Sequence, residues 1–180
     1  YNRKNRTQSY NAHSTPNKEN IILEMLREGK NLALVSDAGT PCISDPGVLI
    51  VQKIREEFKS DARIVPIPGP SALISALCAS GVSSARFTFL GFLPHKKGRE
   101  TLFKEIENSP EVIVFYESSH RIIKTLQSLS KFTQQKHVVI ARELTKIYEE
   151  FLEGTATELL DILENDKNKQ KGEFVVIVTQ

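Results

Sequence analysis

The stretch "LVSDAGTPCISDPG", Leu34 to Gly47, gathers two aspartates, two glycines and two prolines behind an apolar run. Such a loop is either an elaborate turn or a shape built to hold something. In a parallel α/β sheet, ligands bind beyond the carboxyl ends of the strands. This loop is expected to leave such an end. Gly39 and Gly47 allow backbone conformations closed to other residues and let a ligand approach the main chain. Asp37 suits either ligand hydroxyls or a nearby positive centre. The competing reading is an Asx-rich turn in which Asp45 caps the helix after Pro46. The spacing is neither GxGxxG nor GxxxxGK[ST], so a phosphate cradle is not expected. A second loop, "IPGPSA" (Ile67–Ala72), also follows a strand and should emerge on the same edge. Two such loops side by side make a pocket rich in backbone donors and acceptors, which favours a ligand.

Charged motifs lie further along the chain. "FYESSHR" ends at Arg121, "ARELTK" at Lys146, "HKKGR" at Arg99 and "KNKQKGE" at Glu173. Ser118 or Ser119 is expected to cap a helix, with His120 and Arg121 in its first turn. Arg121 suits a phosphate or a carboxylate. His120 reads equally as a substrate contact or a structural residue. "ARELTK" is either a strand edge with solvated charges or a cluster of functional groups. The basic clusters, including "YNRKNR" at the start, each read as solvated loops or as anion-facing surface.

The whole chain bounds these readings. It has 180 residues, 39% hydrophobic and 26% charged, with net charge +2. Bulk charge therefore makes no case for nucleic acid. Cys42 and Cys78 are far apart and show no metal-ligand spacing, and the four histidines form no HExxH pair. No metal site is expected, and Cys42 and Cys78 read as packing residues. No apolar run approaches membrane-spanning length, and none reads as a signal peptide, so a cytoplasmic setting is expected.

The motifs need elements to position them. "STPNKENIILEMLREGK" reads as a helix capped by Ser14 or Thr15, with Ile21, Ile22, Met25 and Leu26 on its apolar face and Gly29 as its stop. "NLALVS" is a buried strand. A second helix opens at Pro46 or Gly47 and carries Val48, Val51, Ile54 and Phe58 on one face. "ARIVPI" is the next strand, and the alternation predicts a parallel sheet. Ser71–Ser80 reads as a small-residue helix. Then come a strand "ARFTFLGF", a helix over 99–107, a strand "EVIVFY", a helix "SHRIIKTLQSLSKF", strands "HVVIAREL" and "IYEEFLEG", a helix "TATELLDILEN" and a strand "GEFVVIVT". The short turn between the strands at 137–144 and 147–154 predicts an antiparallel pair. Residues 1–67 are thus expected to form the remainder of an N-terminal α/β domain with a parallel sheet. Residues 68–180 should form a C-terminal α/β domain with a mixed sheet.

Taken in order, "ALVSDAGTPCISDPG", "PIPGPSALISALCASG", "GFLPHKKGR", "FYESSHR", "ARELTKIYEEFLEG" and "KGEFVVIV" resemble the ribosomal RNA small subunit methyltransferase I family of the tetrapyrrole methylase superfamily. The resemblance covers essentially the whole chain. "FYESSHR" and "ARELTK" are its most specific parts. It implies a two-domain α/β enzyme with S-adenosylmethionine in the cleft between domains. It also implies 2′-O-methylation of a cytidine ribose in 16S rRNA of the small ribosomal subunit, by a metal-free homodimer. The family begins with a strand, a "PTPIGNL" loop, a helix and an "EDTR" segment, roughly fifty residues or about one βαβ unit. None of these appears here, so the N-terminal domain is expected to be incomplete.

Methyl transfer from a sulfonium is an in-line displacement in which the protein chiefly aligns acceptor and methyl group. A ribose hydroxyl also needs its proton withdrawn. The candidates for that work are Asp37, Arg142, Glu143 and Lys146. Lys146 can act as a base only if desolvation lowers its pKa; phosphate contact suits it and Arg142 better. The cofactor is expected against Ser36, Asp37, Ala38, Gly39 and Thr40 of the first loop, and Pro68, Gly69, Pro70, Ser71 and Ala72 of the second. Tyr116, Arg142, Glu143, Leu144, Gly172 and Glu173 complete that set. Lys96, Lys97, Arg99, His120 and Arg121 are expected to face RNA. Two alternatives stand beside this reading: a methylase of small tetrapyrroles, and a non-catalytic fragment that binds RNA or a partner.

Overall fold

Helix α1 (Pro16–Arg27) ends in a Schellman motif. Gly29 takes φ +75°, its N–H reaches Leu26 O at 2.9 Å, and Lys30 N–H reaches Met25 O at 3.0 Å. Only a residue without Cβ adopts that φ cheaply, so the glycine stops the helix as expected. Helix α2 (Gly47–Phe58) follows the first motif loop. The computed structural model describes residues 8–11 and 16–179. The proposed caps Ser14 and Thr15, the opening basic run and His13 lie outside those residues. The chain divides into two compact units, Tyr1–Pro70 and Ser71–Gln180.

In the first unit two expectations change. The runs Asn31–Ser36 and 62–67 join no strand ladder. A strand is stable only when its N–H and C=O groups find a neighbour. Among the described residues neither run has one. Val35 and Ile67 are accordingly 82% and 78% exposed. The expected parallel sheet is therefore absent from the described part of this unit. The helix faces also differ in detail. Leu23 and Ile50 are the buried hydrophobic residues of α1 and α2, while Ile21 and Val48 are exposed.

The second unit is a five-stranded mixed sheet with order β1-β2-β5-β3-β4. The strands are β1 (Phe87–Phe92), β2 (Val112–Ser118), β3 (His137–Arg142), β4 (Glu150–Thr155) and β5 (Glu173–Thr179). β1 and β2 are parallel, and the remaining pairs are antiparallel, including the expected β3–β4 hairpin. The inner strands are apolar along most of their length because both faces are covered. Alternation then sorts their side chains. Ile113, Phe115, Val138, Ile140, Phe174, Val176 and Val178 enter one core with α4 (Arg99–Asn108), α5 (Ile122–Phe132) and α6 (Ala156–Asn165). Val114, Val139, Ala141, Val175 and Ile177 enter the other with α3 (Ala72–Ala79).

Helix ends follow local chemistry. Thr155 and Glu158 form a reciprocal capping box on α6. Ser71 caps α3 by accepting from Ile74 N–H. Neither Ser118 nor Ser119 caps α5. Arg121 occupies that position without a side-chain cap, because the Ser118 carbonyl closes a turn to Arg121 N–H at 3.0 Å.

Candidate functional site

The loop 36–47 is built by its own polar side chains. Ser36 Oγ donates to Ala38 O at 3.0 Å, and Asp45 Oδ1 accepts from Cys42 N–H at 3.2 Å and Gly47 N–H at 2.8 Å. Gly39, Cys42 and Ser44 all sit at positive φ. At Gly47 a Cβ would come within 2.9 Å of Leu34 Cδ2 and 2.8 Å of Asp45 Oδ1. The small residues are therefore required by the turn itself. Asp45 takes up the N–H of Gly47, the first residue of α2, while the N-cap position itself is Pro46 and carries no side-chain cap. Asp37 holds no part of the turn together, being exposed and without a hydrogen bond or ion pair among the described residues. Thr40 Oγ1 donates to Pro70 O at 2.7 Å, so the two turn-rich loops meet as expected. Pro68, Gly69 and Pro70 are exposed, and Cys42 is half-buried with its thiol pushed up by burial and by the Asp45 charge. Cys78 is exposed rather than packed.

In the second unit, register brings the motifs to one end of the sheet. Ser118 pairs with Glu173, and Arg142 with Phe174. The carboxyl ends of β2 and β3, where "FYESSHR" and "ARELTK" turn off, thus flank the start of β5 and the "KGE" sequence. Ligands favour this edge in α/β sheets.

Four groups of side chains occupy it. Arg142 is buried and fully engaged. Its Nε donates to Lys171 O at 2.7 Å, Nη2 to Asn168 O at 2.8 Å, and Nη1 to Glu150 Oε1 at 2.9 Å and Tyr148 O at 3.3 Å. It clamps the 166–171 loop onto the β3–β4 turn. Of the "KNKQKGE" lysines, Lys169 pairs with Glu150, whereas Lys167 and Lys171 are both exposed, Lys171 reaching Asn168.

Glu143 stands at φ +52° beside Gly172. Its Oε1 accepts from Lys146 Nζ and from Glu173 N–H, both at 2.9 Å. Lys146 also pairs with Glu173 at 3.1 Å. A Cβ on Gly172 would fall 2.5 Å from the Glu143 side chain. Hydrogen bonding to Lys146 holds Glu143 below the usual carboxylate range. The same bond, with that to Glu173, raises Lys146 above its ordinary value, and burial opposes this more weakly. That direction favours a cation over a base. Leu144 is half-buried against the α3 core.

Tyr116 joins Ser71 and Ala72 at the start of α3. Its hydroxyl accepts from Leu73 N–H at 3.3 Å, and its ring packs edge-on against Phe89 and Phe92. Burial raises the phenol's pKa.

The fourth group surrounds Glu117, which motif spacing alone does not single out. Its side chain is fully buried. Oε2 accepts from Thr125 Oγ1 at 2.6 Å, and Oε1 accepts from Ser118 N–H at 2.9 Å and pairs with Arg121 at 3.3 Å. Arg99 donates to Thr125 Oγ1 at 2.7 Å and stacks over Phe103. Burial, then the Arg121 charge, lowers Arg99 from its ordinary value. Arg99 and Arg121 are thus directed inward, whereas Lys96, Lys97 and His120 are exposed. The available signal for Glu117 was a carboxylate closing an apolar strand, four residues before an arginine.

Among the described residues no three His, Cys, Asp or Glu side chains are grouped to hold a metal ion, and no helix is long and apolar enough to cross a membrane.

The five-stranded sheet and its charged strand ends define an α/β protein with a candidate site on one sheet edge. The family model "Tetrapyrrole (Corrin/Porphyrin) Methylases" matches residues 2–160, and the chain belongs to that family. It is 48% identical, over 93% of its length, to ribosomal RNA small subunit methyltransferase I of Xylella fastidiosa, and spans 61% of that protein. It is 41% identical, over 95% of its length, to the Thermotoga maritima protein of the same name, and spans 75% of it. Among solved structures, the methyltransferase CobJ superposes with a TM-score of 0.63 at 19% identity, covering 91% of this chain and 70% of that one. Uroporphyrin-III C-methyl transferase from Thermus thermophilus, complexed with S-adenyl homocysteine, gives 0.58 at 10% identity, covering 90% and 71%. These two likenesses support the fold.

Proposed function

We propose that this chain provides the core of a cytoplasmic, homodimeric, S-adenosylmethionine-dependent methyltransferase acting on a cytidine ribose 2′-hydroxyl in 16S rRNA of the small ribosomal subunit. The observation that carries the reading is the convergence of "FYESSHR", "ARELTK" and "KGE" on one sheet edge, in a chain whose relatives at 40–48% identity bear that rRNA methyltransferase name. A two-domain arrangement, divided near Pro68–Pro70 with the cofactor between, belongs to the same proposal.

S-adenosylmethionine would be held by the loops at 36–40 and 68–72, by Tyr116, and by the turn around Glu143 and Gly172. The unpartnered Asp37 carboxylate and the joined loops fit a polar, hydroxyl-bearing ligand. When bound, it supplies an electrophilic methyl group on a leaving group that is already activated. The chain's residues then align the ribose and manage one proton. Lys146, kept protonated by Glu143 and Glu173, is assigned to anchor or polarise the acceptor side. Asp37 and Glu143 are the carboxylates available to take the proton. Arg142 supports this site through the loops it clamps.

The test is transfer of labelled methyl groups by the full-length protein to small ribosomal subunits that lack the modification. Label is expected on a ribose oxygen of a cytidine. Label on a free tetrapyrrole instead would assign the small-molecule alternative. Cofactor and RNA binding without any transfer would assign the non-catalytic one.

A further inference from the structure

We propose that Glu117 is a positioning residue for RNA: it fixes the loop Leu93–Gly98 so that Lys96 and Lys97 present their charges in one arrangement. This rests on the rRNA reading above and names how that surface is built.

Glu117 cannot meet RNA itself, since its side chain has no exposed surface. Both ends of the basic loop nevertheless trace back to its carboxylate. At one end, Arg121, paired with Glu117, donates through Nη2 to Leu93 O at 2.6 Å and Pro94 O at 3.3 Å. At the other, Thr125 donates to Glu117 and accepts from Arg99, whose Nη1 also reaches Pro94 O at 3.1 Å. Between the ends, Lys96 O accepts from Arg99 N–H at 3.3 Å, and Gly98 turns the chain at φ +79°. What remains outward is His95, Lys96 and Lys97. A loop held before binding loses less conformational freedom on binding. The two arginines that sequence would assign to phosphate hold the loop, and the two lysines meet the anion.

The test turns on a sign. Glu117→Gln removes a negative charge beneath a surface meant for phosphate. Electrostatics alone then favours tighter RNA binding with a steeper salt dependence. Positioning requires the opposite. Binding of the full-length protein to assembled small subunits is measured across a salt series, with S-adenosylhomocysteine binding as a readout of intact folding. Lys96→Ala with Lys97→Ala should reduce the salt slope by about two. Glu117→Gln should weaken RNA binding about tenfold, the lower end of what removing an outer support costs at other sites. It should also flatten the slope and leave cofactor binding unchanged. In the Glu117→Gln background the lysine changes should cost less than in the parent, because the two act through one loop. Arg121→Lys keeps the net charge but not the guanidinium that meets Glu117 through Nε and the loop carbonyls through Nη2, and should weaken RNA binding in the same direction. This variant decides the matter if Glu117→Gln loses cofactor binding. The proposal is overturned if folded Glu117→Gln, or Arg121→Lys in its place, binds RNA as tightly as the parent while the lysine changes weaken it. If the lysine changes themselves do nothing, the RNA reading of this surface fails first.

Discussion

A guanidinium buried among carbonyls is a fastener, and Arg142 shows the consequence. Four hydrogen bonds tie it to Lys171, Asn168, Tyr148 and Glu150. Arg142→Ala would strand these acceptors and leave Glu150 with Lys169 as its remaining partner. It is expected to cost about 3 kcal/mol, read as a lower urea midpoint with unchanged m-value. Glu143 and Lys146 make a prediction in pH. Glu143 is depressed when folded, so its contribution to stability is present above its unfolded pKa and fades as pH falls through the lower folded one. Lys146 is raised, so its contribution is present below its unfolded pKa and is lost as pH climbs through the higher folded one. Lys146→Met should therefore let the Glu143 carboxyl climb back toward its ordinary value, measured by carbon NMR titration. An unmoved carboxyl would show that the pair is not what depresses it. Gly172→Ala places a methyl group where the Glu143 side chain lies, at φ +109°. It should displace Glu143 and destabilise the protein by roughly 1–3 kcal/mol, checked by thermal melting.

At the scale of elements, local chemistry was widely legible. The glycine that stops α1 and the short β3–β4 turn both stood in the sequence. So did the helices and strands of the second unit, because apolar alternation there is strong. Strand pairing in the first unit was not legible: "NLALVS" and "ARIVPI" have strand composition, but composition does not supply a ladder partner. Nor could the sequence say which charges face inward. Arg99, Arg121 and Arg142 read as anion ligands, yet each finds its oxygens within the fold, since a guanidinium fork suits carbonyls and carboxylates as well as phosphate. The capping box of α6 gives the prediction at this scale. Thr155→Ala should remove the hydroxyl that accepts from Glu158 N–H, leaving the Thr155 backbone N–H on Glu158, and cost about 1 kcal/mol, seen as fraying of α6 by hydrogen exchange.

For the whole molecule, protection should be uneven. Amides of β2, β3 and β5 lie in ladders buried on both faces, whereas Asn31–Ser36 and 62–67 have no ladder among the described residues. Hydrogen exchange should be slowest in those three strands and fast in the two runs. Equal protection in both units would contradict this picture. The strand order carries a further consequence. β5, last of the five in sequence, lies between β2 and β3 in the middle of the sheet. During synthesis, at roughly 5–20 residues per second, β1–β2 and β3–β4 leave the ribosome as two separate ribbons with open inner edges. They become one sheet only when Glu173–Thr179 has emerged to join them. A nascent chain stalled before that point, or one cut short there by a nonsense codon, would leave two sticky edges for chaperones and proteases to find.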